Sequence, residues 1–442
     1  MIDQNSRTAR RHSVKRDRPK TDPTDSRSYF QKDRDRVLYT SSLRRLAEIT
    51  QVVSADTSHV FHNRLTHSMQ VSQVGRRLAE RLLLLDHGIV ESSSTGLDPD
   101  VVEAACLAHD LGHPPFGHIA EEELNDFAGN EIDGFEGNAQ SFRIVTRLSQ
   151  HSTHHRGLDL TRATLAAILK YPWLKGNNPS KSGKWGAYRS EQKNFDFACE
   201  LLGKANKRTI EAELMDWADD ITYSVHDLED FYRAGKIPLH LLADRLYERE
   251  RRFFFENVFE RVDRNGGSID REASIEAFND LVIGLFPLDR PYSGTWQERA
   301  ALRNFSSQLI GRYISGTRLK ADGDGDCVPA IDEQLRIEVA ILKELTWTYI
   351  IEAPALVTKQ FGQRRVIRGL CEIFFEAAND QKRWYLFPPY YRDSLKQSGG
   401  DPKIMKRTVV DFVAGMTENQ ALAMFARLSG LEAGTGLHEI VP

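Results

Sequence analysis

With 442 residues the chain exceeds the usual size of one domain and is long enough to bury a large core. Its composition, 40% hydrophobic and 28% charged, is that of a soluble globular protein, and a formal net charge of -4 gives neither a global basic field for nucleic acid nor an acidic tail. Cys106, Cys199, Cys327 and Cys371 share no CxxC spacing, which argues against a zinc ribbon or disulfide framework and suits a reducing cytoplasm, and the longest apolar run, Leu82 to Leu85, is far too short to cross a membrane.

In chain order, residues 1–27 are polar. Arg7, Arg10, Arg11, Lys15, Arg16, Arg18 and Lys20 are interrupted by Pro19 and Pro23, with too few apolar residues to order the segment by burial. A mobile basic tail is expected, with contact to single-stranded nucleic acid as the lesser reading; no apolar stretch marks a secretory signal. From residue 30 helical periodicity takes over. Leu65, Val71, Val74, Leu78 and Leu82 fall on one face of a helix, and comparable patterns cover 101–110, 161–171, 208–233, 240–261, 270–286, 298–315, 332–350, 364–378 and 418–429. No series of alternating strands appears, so the fold class expected is all-α. Breaks fall at Ser92–Gly96, at the Gly- and Lys-rich 175–186, at Asn265–Gly267 and at 321–326. In the last of these, Asp322, Asp324 and Asp326 mimic the opening of a calcium loop without the rest of its spacing, and a polar turn is the better reading.

Chemistry concentrates in residues 108–121, A-H-D-L-G-H-P-P-F-G-H-I-A-E, which hold His109, Asp110, His113, His118 and Glu121. An adjacent His-Asp pair closing an apolar helix offers mixed nitrogen and oxygen donors, a set that suits a divalent transition metal better than calcium. The Gly112-His113-Pro114-Pro115 turn ends the helix and folds the chain back, returning His118 and Glu121 towards the pair. His67, early in its helix with Arg64 one turn before it, reads on its own as an ordinary helix histidine. Downstream, Asp219, Tyr223 and Asp227 are spaced four apart and form one stripe at the edge of an apolar face made by Ile221, Val225 and Leu228.

In this order the motifs resemble the HD superfamily of metal-dependent phosphohydrolases, and more narrowly the deoxyguanosine triphosphate triphosphohydrolase family. The landmarks are S-S-L-R-R-L-A-E-I-T-Q-V (41–52), N-R-L-T-H-S (63–68) and H-D-L-G-H-P-P-F-G-H (109–118). They continue with F-E-G-N-A-Q (135–140), A-I-L-K-Y-P-W (167–173), A-D-D-I-T-Y-S-V-H-D-L-E-D (218–230) and D-F-V-A-G-M-T-E (411–418). The likeness runs from about residue 30 to about 430. It implies a helical HD core at 28–235 and a helical C-terminal region at 236–442 that completes the nucleotide site and the contacts of a homo-oligomer, a hexamer by the family's habit.

The resemblance implies one divalent metal, Mn²⁺ or Mg²⁺ ahead of Co²⁺, Fe²⁺, Ni²⁺ or Zn²⁺, held by His67, His109, Asp110 and Asp219. Asp220 is the rival to Asp219, whose register alone puts Tyr223 and Asp227 one and two turns on. His118 and Glu121 match the catalytic pair, and Arg64 and His113 match groups near the phosphates. Gln51, Tyr223 and Asp227 match contacts around a deoxyribose, while Asn138, Lys170, Tyr171 and Lys184 fall in segments that contact nucleotide or phosphate. The reaction implied is hydrolysis of a deoxynucleoside triphosphate to deoxynucleoside and inorganic triphosphate in the cytoplasm, open to a nucleotide effector. A different HD phosphohydrolase, acting on monophosphates or cyclic nucleotides, and a non-catalytic nucleotide- or single-strand-binding protein are the competing readings. The chain departs from the family's commonest wording at His62-Asn63 and at Glu418, where relatives often have Asp.

Overall fold

The computed structural model describes residues 4–12, 24–51, 62–92, 96–202, 206–323, 326–351 and 354–431. It is all-α apart from one hairpin, in which Thr317–Ala321 pairs antiparallel with Cys327–Ile331. That hairpin was missed for clear reasons. Each strand has five residues, and Pro329, opposite Leu319, is a residue that argues against a strand. Its turn is the Asp-Gly repeat, where Lys207 Nζ lies 2.7 Å from Asp322 Oδ2 and 2.6 Å from Asp326 Oδ2. Lys207 thus offsets part of the charge of Asp322 and Asp326, and residues 324–325 of the stretch lie outside the described residues.

The heart of the molecule is a packet of three helices, Arg64–Leu85, Pro99–Ala108 and Ile210–Thr222. Each starts where a cap dictates: Asn63 with Thr66 in a capping box, Asp98 followed by Pro99, and Thr209 accepting from Ala212 N–H. Val71, Val74, Leu78 and Leu82 are fully buried at helical spacing. Gly75 lets two helices close up, since a Cβ there would stand 2.6 Å from Cys106 Sγ. The stretch 208–233 is one continuous helical rod, but Tyr223–Asp227 is a π-helical turn within it. The stretch 240–261 is broken between Leu239–Ala243 and Glu248–Arg264.

A second apolar core joins the C-terminal helices to the middle of the chain. Phe116, Leu124 and Phe135 pack with Ile367, Leu370, Phe374, Val409, Val410 and Ala421. The region after residue 354 therefore shares a core with segment 116–135. One buried charge network rivets the two together. Arg143 reaches Asp411 through Nε at 2.9 Å and Nη2 at 2.7 Å, binds Glu191 with Nη1, and Gln140 adds a 3.1 Å bond to Asp411.

Residues 4–12 are not the solvated tail that composition suggested. Gln4–Thr8 is a short helix whose Arg7 is 2% exposed and ion-paired with Glu211, and Arg10 pairs with Asp33 at 2.7 Å. Charge pairing, not apolar burial, orders this segment, and the partners lie far away in sequence. Residues 13–23 of the expected tail lie outside the described residues. None of the described helices is long and apolar enough to cross a membrane.

Because Arg143 is buried between Asp411 and Glu191, removing Asp411 leaves its Nε and Nη2 donors without their carboxylate partner in the interior. Asp411→Leu is expected to lower unfolding free energy by about 3–5 kcal/mol in denaturant titrations, and a loss below about 1 kcal/mol would show that the network is dispensable.

Candidate active site

Three helices of the chain converge on one largely buried point. His67 comes from the Arg64–Leu85 helix, His109 and Asp110 from the end of Pro99–Ala108, and Asp219 from Ile210–Thr222. His67 Nε2 lies 3.0 Å from Asp219 Oδ1, and His109 Nε2 lies 3.6 Å from the same oxygen and 3.4 Å from Asp110 Oδ1. One donor atom from each of His67, His109 and Asp219 fits within a 4.8 Å span. Asp220 is turned elsewhere, towards Lys343.

The tautomers fit a metal. His109 Nδ1–H donates to Cys106 O at 2.6 Å, which leaves Nε2 as a lone-pair donor, and that atom is buried with no hydrogen-bond partner. Burial disfavours a charged imidazole here, yet Asp110 and Asp219 outweigh it and raise His109 to about 9. The two carboxylates, Asp110 buried and Asp219 half-buried, thus create a field that calls for a cation at this position. Both carboxylates resist the upward push of burial and stay well below the usual range, Asp110 through His109, His113 and Arg64, and Asp219 through Lys170 and His109. Arg64 Nη1 donates to Asp110 Oδ2 at 2.7 Å, His113 Nδ1 lies 2.9 Å from Asp110 Oδ1, and Lys170 Nζ lies 3.3 Å from Asp219 Oδ2.

Beside this group stands a second one, His113, His118 and Glu121. The turn between the groups is tightly locked. Ser141 Oγ accepts from Gly112 N–H at 2.8 Å and donates to His109 O at 2.9 Å. A Cβ on Gly112 would meet Gly137 O at 2.1 Å, so the turn and the 137–143 helix approach as closely as glycine permits. Arg45, half-buried, caps Leu111 O at 3.0 Å and His113 O at 2.6 Å. Phe116, at φ +69°, and Gly117, at φ +62°, reverse the chain through the left-handed region, a strained conformation for an aromatic residue. The reversal starts the His118–Ala128 helix, in which His118 Nδ1–H donates to Glu121 Oε2 at 2.5 Å. Glu121 in turn accepts from Gly137 N–H at 2.7 Å, and despite burial its carboxyl is held well below its ordinary range by His118 and His113.

Both groups open on a cleft of about 1200 Å³. Gln51, Arg64, His113 and His118 line it, as do Asn138, Lys170, Tyr171, Lys184 and Tyr223. His67 lies in the wall behind. Asp227 is the exception to the expected stripe: it is buried and does not line the cleft. Asp227 closes the π-helical turn Tyr223–Asp227, and its carboxyl is buried there. Burial and the neighbouring Asp230 push the Asp227 carboxyl well above its usual range.

Several cleft residues carried no signal in the sequence. Glu136 is buried, caps the 137–143 helix through Ala139 N–H, and binds both Asn138 Nδ2 at 2.9 Å and Lys184 Nζ at 3.1 Å. Lys343, Trp347, Lys359, Gln360 and Gln363 arrive from 200 residues downstream in ordinary amphipathic helices. Glu418, noted only as a departure from the family's wording, accepts from Thr50 N–H and Thr50 Oγ, each at 2.8 Å, and from Phe116 N–H at 3.4 Å. It ties the Gln51 segment to the strained turn.

Comparisons with known proteins identify the family. Residues 64–224 match the HD domain model, and residues 330–427 match the phosphohydrolase-associated domain model. A deoxyguanosinetriphosphate triphosphohydrolase-like protein of Streptomyces coelicolor is 39% identical over 95% of this chain and 96% of its own length. A protein of the same description from Corynebacterium glutamicum is 34% identical, covering 93% of this chain and 94% of its own. Another from Bifidobacterium longum is 32% identical, over 93% and 85%. The chain is an HD-domain phosphohydrolase that belongs to the deoxyguanosinetriphosphate triphosphohydrolase-like family.

Proposed function

We propose that the protein hydrolyses deoxynucleoside triphosphates, dGTP or several of them, to deoxynucleoside and inorganic triphosphate. The observation that carries the reading is the pairing, in one cleft, of a buried His109 Nε2 donor aimed between two carboxylates with a His118–Glu121 dyad. His67, His109, Asp110 and Asp219 would hold one divalent ion, Mn²⁺ or Mg²⁺. When bound, such an ion supplies Lewis-acid neutralisation of phosphate charge. Work in a reducing cytoplasm as a homo-oligomer belongs to the same reading, and the four free cysteines support the compartment.

The chain's own groups do the rest. Lys170, Lys184, Arg64 and His113 bring positive charge and N–H donors to a ligand that carries several negative charges. Water attacks the α-phosphorus while the bond to the 5′ oxygen breaks. With Nδ1–H committed to Glu121, His118 presents Nε2 for a proton transfer, to the leaving oxygen or from the attacking water, and its 71% exposed side chain reaches into the cleft to do so. Tyr223, whose burial raises its phenol, packs as a neutral ring against the sugar and leaves no room for a 2′ hydroxyl.

Three outcomes are expected. Incubation with each dNTP and Mn²⁺, Mg²⁺ or Co²⁺ yields deoxynucleoside and triphosphate by chromatography; monophosphate with pyrophosphate, or no turnover with any combination, contradicts the reading. His118→Ala lowers kcat by about 10²- to 10⁴-fold while the ion still binds, and a loss of less than about threefold removes His118 from the reaction. Tyr223→Ala narrows the preference for dGTP over GTP by up to about a hundredfold, whereas an unchanged ratio assigns sugar selection to another residue.

A further inference from the structure

A second charged pocket lies away from the cleft, between the N-terminal segment, the chain around 146–156 and the chain around 189–196. It has a volume of about 680 Å³, within the range of small-ligand sites. Arg11, Arg147, Arg156 and Lys193 line it. None of these four is paired with a carboxylate among the described residues. Arg11 Nη1 donates to the neutral Asn194 Oδ1 and Arg156 Nη2 to the neutral Gln397 Oε1, each at 2.5 Å.

The acids nearby are largely committed. Glu191 is buried and bound by Arg143 and Ser190, and Asp133 takes Arg189, the fifth cation of the lining. Asp159 accepts from His12 N–H at 3.1 Å, and Asp196 is exposed on the rim. The rings of His12 and His155 stack at 4.9 Å, 5° from parallel, and add N–H groups to the lining. Burial, with Arg143 and Arg156 close by, already lowers the Arg147 pKa, so the cations crowd one another.

Guanidinium groups from separate segments recognise phosphate oxygens through paired N–H donors, and several of them in one concavity match several charges at short spacing. The lining contains no Trp, Tyr or Phe, so it lacks the stacking platforms with which single-strand binders hold bases. We propose that this pocket binds a linear phosphate chain, either inorganic or that of a nucleoside triphosphate.

The pocket is built on the same two segments as the active cleft. The helix Gly137–Arg143 begins at the Glu121 and Asn138 end and runs on through the π-helical turn Ile144–Leu148 to Thr146 and Arg147. Nine residues separate Asn138 from Arg147, roughly 14 Å of helix. The chain from Lys184 to Lys193 makes the same journey on the other side.

The test is calorimetric titration of the full-length protein with sodium tripolyphosphate. The Arg156→Glu/Lys193→Glu pair changes exposed or half-exposed side chains, and Arg77→Glu/Lys396→Glu is a control of equal charge change elsewhere. The first variant is expected to bind one equivalent fewer than wild type, or to bind that equivalent at least about a hundredfold more weakly, with the control unchanged. Equal stoichiometry and affinity in wild type and Arg156→Glu/Lys193→Glu, with both folded by circular dichroism, overturns the proposal. ATP titrated in parallel separates the sources: loss of both ligands indicates a nucleotide-compatible site, and loss of tripolyphosphate alone an inorganic one. Loss of binding to a single-stranded oligonucleotide, with tripolyphosphate binding intact, also overturns it. Equivalents that remain in the variant report the active cleft, so failure of the hydrolase reading stays distinguishable.

Discussion

Placing two carboxylates, buried Asp110 and half-buried Asp219, at the centre of a helical packet is the constraint on which this structure depends. Removing such groups from water is costly unless positive charge and hydrogen bonds accompany them. The chain supplies both from distant segments: Arg64 and His113 for Asp110, Lys170 for Asp219, and the imidazoles of His67 and His109 between them. Each of these groups must stay where it is for the others to be tolerated. The same electrostatics that makes the point expensive favours a cation there.

Precision around that point comes from the turn that follows the His-Asp pair. The Ser141 hydroxyl, the Gly112–Gly137 backbone approach and the Arg45 caps fix the chain as it leaves Asp110. Glu418 then braces Phe116 in its left-handed conformation and holds the Gln51 segment with the same carboxylate. Glu418 opens the last helix of the second core, so the C-terminal region bears directly on where His118 stands. The Arg143–Asp411 network serves the same end, joining the 137–143 helix to the 402–414 helix.

The helical fold was legible because its signals are local: caps at Asn63, Asp98 and Thr209, and apolar spacing that any window reveals. The cluster of candidate groups at 109–121 was legible for the same reason. His67 and Asp219 entered as candidates through the order of motifs, since nothing local singles out a lone histidine. Other features escaped. Asp227 is buried at the end of a π-helical turn instead of lining the cleft, and local spacing does not report burial. The order of residues 4–12 rests on Arg7 meeting Glu211, a contact 204 positions away. Lys343, Gln360 and Gln363 reach the cleft through tertiary packing of helices whose sequences look like ordinary surface.

His67, His109, Asp110 and Asp219, brought together from three helices, are proposed to form a metal centre. Titrating the full-length protein with Mn²⁺, followed by calorimetry or by the paramagnetic signal of the free ion, tests it most directly. The account predicts one tight site per chain. It also predicts that His109→Gln and Asp219→Asn, each alone, weaken that site by more than the about 10- to 100-fold that loss of an outer hydrogen-bond partner costs. Wild-type affinity in a folded Asp219→Asn protein would contradict it.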